Sequence, residues 1–351
     1  MHIVVIGAGY AGTYAANRLA RKTEAQITVV NPRGHFVERP RLHQTLSGTG
    51  RDVTPLTSMM RAGVTVRVAA VDKIGDGVVR LDDGDSLGFD HAVLAVGSTV
   101  RPMPGTVAVG TWEGAQEGRA RLAALGPGAW VTVVGGGPTG LETASEVAAA
   151  RPDLRVRLVG ARIGEAFNPK ARRRLFAALA GLKVEVVEDT LTEAGEGFVR
   201  VGSGRELESG LTLWAIVSGV GDLAARSGFT VNEEGRIAVD DYLRSVDDPR
   251  VFAAGDCAAV PGARFACQTA IPQGARAADN LIRLIEGRPL RPHEFRYQGI
   301  CISLGRKDAL LQVSHADDSP ARAFFGSGPA VLAKETVLRG IKVGVRMGVG
   351  M

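Results

Sequence analysis

Residues 2–6, HIVVI, form an unbroken apolar run; GAGYAG (7–12) follows, and TYAANRLARK (13–22) then carries apolar residues at helical spacing before QITVVN (26–31) turns apolar again. Short continuous apolar runs suit strands buried on both faces of a parallel sheet, while the 3.6-residue period between them suits an amphipathic helix. The pattern predicts a strand, a glycine turn, a helix and a second strand. The same order recurs in WVTVVGG (130–136), TGLETASEVAAARP (139–152) and RVRLVG (155–160). Two β-turn-α-β units in one chain imply two nucleotide-binding domains of the doubly wound type.

Between the units, DHAVLAVGS (90–98) reads as another buried strand, and TVRPMPGT (99–106) has the Pro/Gly content of a domain crossing. LTLWAIVSGVG (211–221) closes the middle domain; RIAVDDYLRS (236–245) and VFAAGDCAAV (251–260) return strand material to the first. CQTAIPQGARAADNLIRLIEG (267–287) predicts a loop followed by a helix that begins near Pro272 and stops at Gly287. The fold class expected is α/β: two Rossmann-like domains, the second inserted in the first, plus a small C-terminal α+β segment. The boundaries expected are 1–108 and 237–294 for the two parts of the first domain, 109–236 for the inserted domain and 295–351 for the cap.

The length of 351 residues fits about two domains, and 45% hydrophobic with 23% charged residues is an ordinary globular composition. A net charge of +5 favours anionic ligands. Nucleic acid is not expected as a partner, because the arginines are scattered and aromatics make up only 5%. The start, MHIVVIGAG, lacks the basic n-region of a signal peptide, and no apolar run approaches the ~20 residues of a membrane span. A cytoplasmic location is expected. The cysteines, Cys257, Cys267 and Cys301, have no C-x-x-C spacing, which argues against a zinc site and a disulfide framework.

Gly7, Gly9 and Gly12 satisfy G-x-G-x-x-G in the context that gives the motif meaning, after a strand and at the start of a helix. The first glycine permits the turn, the second lets a pyrophosphate approach the backbone, and the third lets helix and strand pack closely; the helix N-terminus then stabilises the phosphate charge. Gly135, Gly137, Pro138 and Gly140 repeat the arrangement. The acidic residue that usually ends the second strand is Asn31 in the first unit, where it can accept a ribose hydroxyl and also make the Asn-Pro turn. In the second unit Gly160 takes that place, followed by Arg162, so that nothing repels a 2′-phosphate and both NADH and NADPH stay open.

With IGAGYAG at the start, AVLAVGS in the middle and AAGDCA late, the chain resembles the flavoprotein oxidoreductases with two dinucleotide-binding domains. Through HFVERPRLHQ, GGGPTGLETASE, CQTAIPQGARAADNL and GICISLGRKDALLQ it is most similar to type II NADH dehydrogenases and their soluble relatives. The resemblance implies FAD on the first loop and exchanging NADH or NADPH on the second. The FAD-binding residues it implies are Gly7, Ala8, Gly9, Tyr10, Ala11, Gly12, Asn31, Arg41, Val71, Ala95, Gly97, Gly255, Asp256, Ala270 and Ile271; those for NAD(P)H are Gly135, Gly137, Pro138, Gly140 and Arg162. Asp256 would hold the ribityl and phosphate part of FAD, and His43 and Arg41 could flank the flavin or the acceptor. Glu142, expected in the first turn of the second helix, would position the nicotinamide–flavin contact. Gln273 is the catalytic candidate on the acceptor side, although Pro272 stands where the family has a second glutamine.

Disulfide reductases of this architecture need a cysteine pair beside the flavin, in the first domain's helix or in the nicotinamide domain, and no cysteine precedes Cys257, so dithiol chemistry is not expected. The function expected is hydride transfer from NAD(P)H to FAD and two electrons onward to a quinone or similar small-molecule acceptor. The alternatives are a biosynthetic flavoenzyme or a flavin-bound redox sensor. Homodimerisation is left open. The tail AVLAKETVLRGIKVGVRMGVGM offers Lys334, Arg339, Lys342 and Arg346 to anionic headgroups, but its end alternates apolar residues with Gly, Lys or Arg and is poor helix material. Weak peripheral membrane contact is the most the tail supports.

Overall fold

The computed structural model describes residues 1–50 and 53–349. A five-stranded parallel sheet carries strands in the order 251–253, 91–94, 2–6, 26–31 and 64–68. Ile3 and Val5 of the central strand enter one hydrophobic cluster, Val4 and Ile6 the cluster on the opposite face. Burial on both faces is why this strand is apolar at every position rather than at alternate ones. The helices of the first part are α1 (Tyr10–Lys22), α2 (Leu42–Leu46) and α3 (Leu56–Met59).

The second parallel sheet is ordered 107–108, 211–214, 130–134, 155–159 and 185–187; its last four strands repeat the first sheet's arrangement, while its outer strand comes first rather than last in chain order. Its helices are α4 (Trp112–Ala124), α5 (Pro138–Ala150) and α6 (Pro169–Gly181). Each sheet also bears a three-stranded antiparallel sheet, 71–88 in the first unit and 191–208 in the second. The two crossings between units lie side by side: Thr99 N–H donates to Gly219 O at 2.8 Å and Ser218 N–H to Thr99 O at 3.1 Å.

The chain returns to the first unit earlier than its sequence suggests. Val220, Leu223 and Ala224, in and just before α7 (Leu223–Arg226), pack with Phe229 into the first sheet's core. Residues 220–236 therefore belong by packing to the first unit, whereas the expected boundary set them in the second. The next helix, α8 (Cys267–Ile285), also differs, since it starts five residues before Pro272 and runs through it. Ala266 O accepts both Thr269 N–H and Ala270 N–H at 3.2 Å, which closes the first turn ahead of the proline.

A three-stranded antiparallel sheet (299–303, 309–314, 320–326) and α9 (Ser327–Met347) form the cap. The tail is thus a helix, contrary to the propensity-based expectation. Ile341 and Val345 pack into the first unit's core, and Asn17 Nδ2 donates to Val345 O at 3.0 Å. Gly348 ends the helix in the left-handed region (φ 60°), so its glycine serves as a cap. Tertiary packing against α1 overrides weak local propensity here. Gly350 and Met351 lie outside the described residues. Among the described residues no helix is long and apolar enough to cross a membrane.

Candidate functional site

Three adjacent strands of the first sheet end side by side. Ala95 N–H donates to Ile6 O (2.7 Å) and Ala254 N–H to Leu94 O (2.9 Å), which brings Gly7, Ala95–Ser98 and Gly255–Asp256 together. Ligands of open α/β sheets bind at such carboxyl ends. Gly7 (φ 97°) lies in the left-handed region, and any Cβ on it would collide with Ala95 O. A Cβ on Gly12 would collide with Gly7 O. Gly9 is different, because a Cβ there meets no protein atom within 4 Å.

The second loop is similar, although its first glycine, Gly135, is required by its backbone conformation (φ 130°) rather than by a collision. A Cβ on Gly140 would collide with Gly135 O, whereas one on Gly137 again meets nothing within 4 Å. The outer glycines are thus required by the protein's own packing or backbone conformation, while the middle ones face open space. α1 and α5 start at these loops without a side-chain cap, whereas α4 is capped by Thr111 and α6 by Asn168. Open space beside uncapped helix N-termini is a cradle for a pyrophosphate. The residues present fit two dinucleotides.

Asp256 is held ready: Oδ1 accepts Ala266 N–H (3.1 Å), Oδ2 accepts the Ser98 hydroxyl (2.5 Å), and the Arg39 guanidinium lies 3.8 Å away. Arg39 also donates to Ser98 O and Oγ at 3.1 and 2.9 Å. Sequence reasoning missed both Arg39 and Ser98, which gain meaning only when the strand ends meet. Asn31 braces the first loop, accepting Ala8 N–H at Oδ1 (3.0 Å) and donating to Arg33 O (2.8 Å). Ala69 N–H donates to Asn31 O at 3.1 Å and so brings the stretch ending at Val71 beside that strand end. Tyr10 packs edge-on against Phe36. Ala11 meets Gly274 and Gly255 in a seam with Ala270, while Ile271 is buried in the adjoining core. Gly97 (φ 74°) turns the chain after Ala95.

Several expected roles change. Gln273 is 1% exposed, and its Oε1 accepts Gly255 N–H at 2.7 Å; it braces the Gly255–Asp256 turn rather than facing an acceptor. Glu142 lies beyond the first turn of α5, which starts at Pro138, and its carboxylate pairs with Lys334 from the cap. The same oxygen accepts Ser303 N–H (2.9 Å) and Ser303 Oγ–H (3.1 Å), and His43 Nδ1 lies 3.9 Å from the other oxygen. Burial pushes the Glu142 carboxyl up, but Lys334, His43 and the Ser303 N–H outweigh it and hold the group below its ordinary value. Burial drives the His43 imidazole down to about 4, so it is neutral near pH 7. Lys334, expected to face headgroups, is thus turned inward, and Lys342 pairs with Glu38 at 2.5 Å. Arg41 forms a bidentate pair with Glu335 (3.1 and 2.8 Å) that ties α9 to the first unit.

Arg162 is 76% exposed and paired with Glu165 at 3.1 Å. Gly160 has a steric cause, because a Cβ there would lie 2.8 Å from Gly136 N, so no carboxylate could be accommodated. Burial raises the thiols of Cys257, Cys267 and Cys301 to about 11, which keeps them protonated and inert. Among the described residues no group of His, Cys, Asp and Glu could hold a metal ion.

Two glycine cradles on two equivalent sheets define a flavoprotein with two dinucleotide-binding domains, and residues 1–279 match the pyridine nucleotide-disulphide oxidoreductases, the family to which this chain belongs. It is an oxidoreductase that uses FAD and NAD(P)H. It is 30% identical to an NADH dehydrogenase-like protein of Mycobacterium tuberculosis, over 88% of this chain and 86% of that one. It is 24% identical to the type II NADH:quinone oxidoreductase of Haemophilus influenzae, over 88% and 86% respectively. The structure superposes on the sulfide:quinone oxidoreductase of Aquifex aeolicus with a TM-score of 0.83 at 17% identity, covering 99% of this chain and 92% of that one.

Proposed function

We propose that the chain passes two electrons from NAD(P)H through FAD to a quinone or a similar small acceptor. The observation that carries this reading is the pair of middle glycines, Gly9 and Gly137, each facing open space beside an uncapped helix. FAD occupies the first cradle and NAD(P)H the second. When bound, the flavin would supply the two-electron redox chemistry between the nucleotide and the acceptor.

The chain's own residues bind, orient and hold protons. The N–H groups opening α1 would receive the FAD pyrophosphate, and Asp256, fixed by Ser98 and Ala266 N–H, would hold the ribityl end. Gln273 is a positioning residue that keeps Gly255 in its left-handed turn (φ 81°). Glu142 and Lys334 form a buried pair between the second unit and the cap, so a proton held at Lys334 Nζ has Glu142 Oε1 and Ser303 Oγ as neighbours. The quinone-named relative supports the acceptor class. The protein works in the cytoplasm, with at most weak peripheral membrane contact: the exposed face of α9 offers Leu332, Val343 and Met347 beside Arg339 and Arg346, but no aromatic anchor. The deciding experiment is anaerobic stopped-flow reduction of the bound flavin by NADH and by NADPH, followed by reoxidation with a panel of quinones. Reduction by neither nucleotide overturns the reading.

A further inference from the structure

The strand 155–159 runs into Gly160, the position at which a doubly wound fold meets the adenosine ribose of its dinucleotide. A carboxylate there accepts the ribose 2′-hydroxyl and repels a 2′-phosphate. None can be built here: a Cβ on Gly160 would lie 2.8 Å from Gly136 N and 3.1 Å from Gly136 Cα, inside the glycine loop itself. The turn that follows is fastened to the same loop. Gly164 N–H donates to Gly136 O at 2.9 Å, and Arg162 O and Ile163 Cα stand so close to Gly136 that any Cβ on it would collide with them. The backbone of Arg162 is thus fixed at the rim of the second cradle, while its side chain is exposed.

Charge around this rim is uneven. Arg162, Lys170, Arg172 and Arg173 lie between residues 162 and 173, with Glu165 as the one carboxylate among them. Beyond the neighbouring strand 185–187, Glu188 is taken by Arg172, and Asp189 by Thr190 N–H and Ser203. Arg172 also donates to Ile163 O at 2.8 Å, which ties the turn to α6. Arg162 makes a single hydrogen bond among the described residues, from Nη1 to Glu165 at 3.1 Å, and both partners are more than half exposed. An exposed pair of this kind contributes little, whereas a phosphate takes a guanidinium through two parallel hydrogen bonds. The pair yields to an arriving phosphate.

We propose that the second cradle selects NADPH, with Arg162 as the residue that receives its 2′-phosphate. The inference rests on the reading of that cradle as the NAD(P)H site and narrows it. No carboxylate can turn the phosphate away, and an arginine anchored beside Gly136 stands ready to hold it.

Two measurements on FAD-loaded protein test this. Calorimetry compares adenosine 2′,5′-bisphosphate with adenosine 5′-monophosphate, which reads the subsite without electron transfer. Anaerobic stopped-flow compares the apparent dissociation constants of NADPH and NADH in flavin reduction. The 2′-phosphorylated ligand binds at least about tenfold more tightly in each comparison, the gain from hydrogen bonds to a charged group. Arg162→Gln changes an exposed side chain and so retains the fold. It removes both preferences, leaves the monophosphate and NADH bound as in the parent, and leaves the limiting rate of flavin reduction unchanged. Equal binding of the two adenosine phosphates, tighter binding of NADH than of NADPH, or a preference that survives Arg162→Gln overturns the proposal. So does a variant that weakens all four ligands alike, which would mark Arg162 as structural. A bisphosphate preference that depends on Arg162, in a protein whose flavin neither nucleotide reduces, supports the proposal and overturns the redox reading instead.

Discussion

Gly137→Val separates what the fold needs from what the nucleotide needs. Gly137 has φ −85° and ψ −177°, extended backbone open to any residue, and its Cβ direction meets no protein atom within 4 Å. The substitution therefore introduces no clash, and the smaller unfolded-state entropy of valine offsets its poorer fit at the helix N-cap, so the fold is retained. The valine does stand where a pyrophosphate reaches the α5 N-terminus. A hydrogen bond to a charged group contributes about 1.5–3 kcal/mol. Losing two weakens NAD(P)H binding on the order of 10²- to 10⁴-fold. FAD content, read from absorbance after denaturation, stays at the parental level, and stopped-flow reduction by NAD(P)H is lost at concentrations that saturate the parent. Gly9→Val does the reverse, abolishing FAD binding. The reasoning fails if Gly137→Val unfolds the protein, or if both variants lose flavin alike.

Three further outcomes follow from the same geometry. Asp256→Ala lowers bound FAD without changing the circular dichroism of the apoprotein; full flavin occupancy in this variant would remove Asp256 from the site. The His43 imidazole is held at about 4 in the fold against an ordinary 6.5, so between these values the unfolded chain binds a proton the native one refuses. Stability is then complete above pH 6.5 and falls by roughly 3 kcal/mol as the pH drops towards 4. Urea melts at pH 7.5 and 5 show this, and His43→Gln flattens the dependence, the less buried His293 contributing a smaller part; an unchanged slope in His43→Gln refutes it. Lys334→Met leaves Glu142 buried and unpaired and destabilises by about 3–5 kcal/mol, while adding Glu142→Gln recovers much of the loss. A single variant as stable as the parent would show that the pair is not buried in solution.

The glycine loops and the strands feeding them were legible along the chain because their constraints are local. A strand buried on both faces must be apolar at every residue, as Ile3 to Ile6 are, and a tight turn into a helix demands glycine at Gly7 and Gly135 whatever surrounds it. Long-range partnerships left no such mark. Glu142 looked like a helix-start carboxylate and Lys334 like a headgroup contact, yet they pair across almost two hundred residues, because the cap folds back over α5. Gln273 carried the appearance of an acceptor-side residue until α8, packed on α1, turned its amide onto Gly255. The glycines of α9 argued against a helix, but the burial of Ile341 and Val345 beside α1 outweighs a propensity deficit of about 1 kcal/mol per glycine. Sequence by itself determined where backbone must turn and which strands are buried. Which charges meet, and therefore which are neutralised or left seeking a ligand, was decided only by the tertiary structure, because electrostatic partners are set by distance in space and not by spacing along the chain.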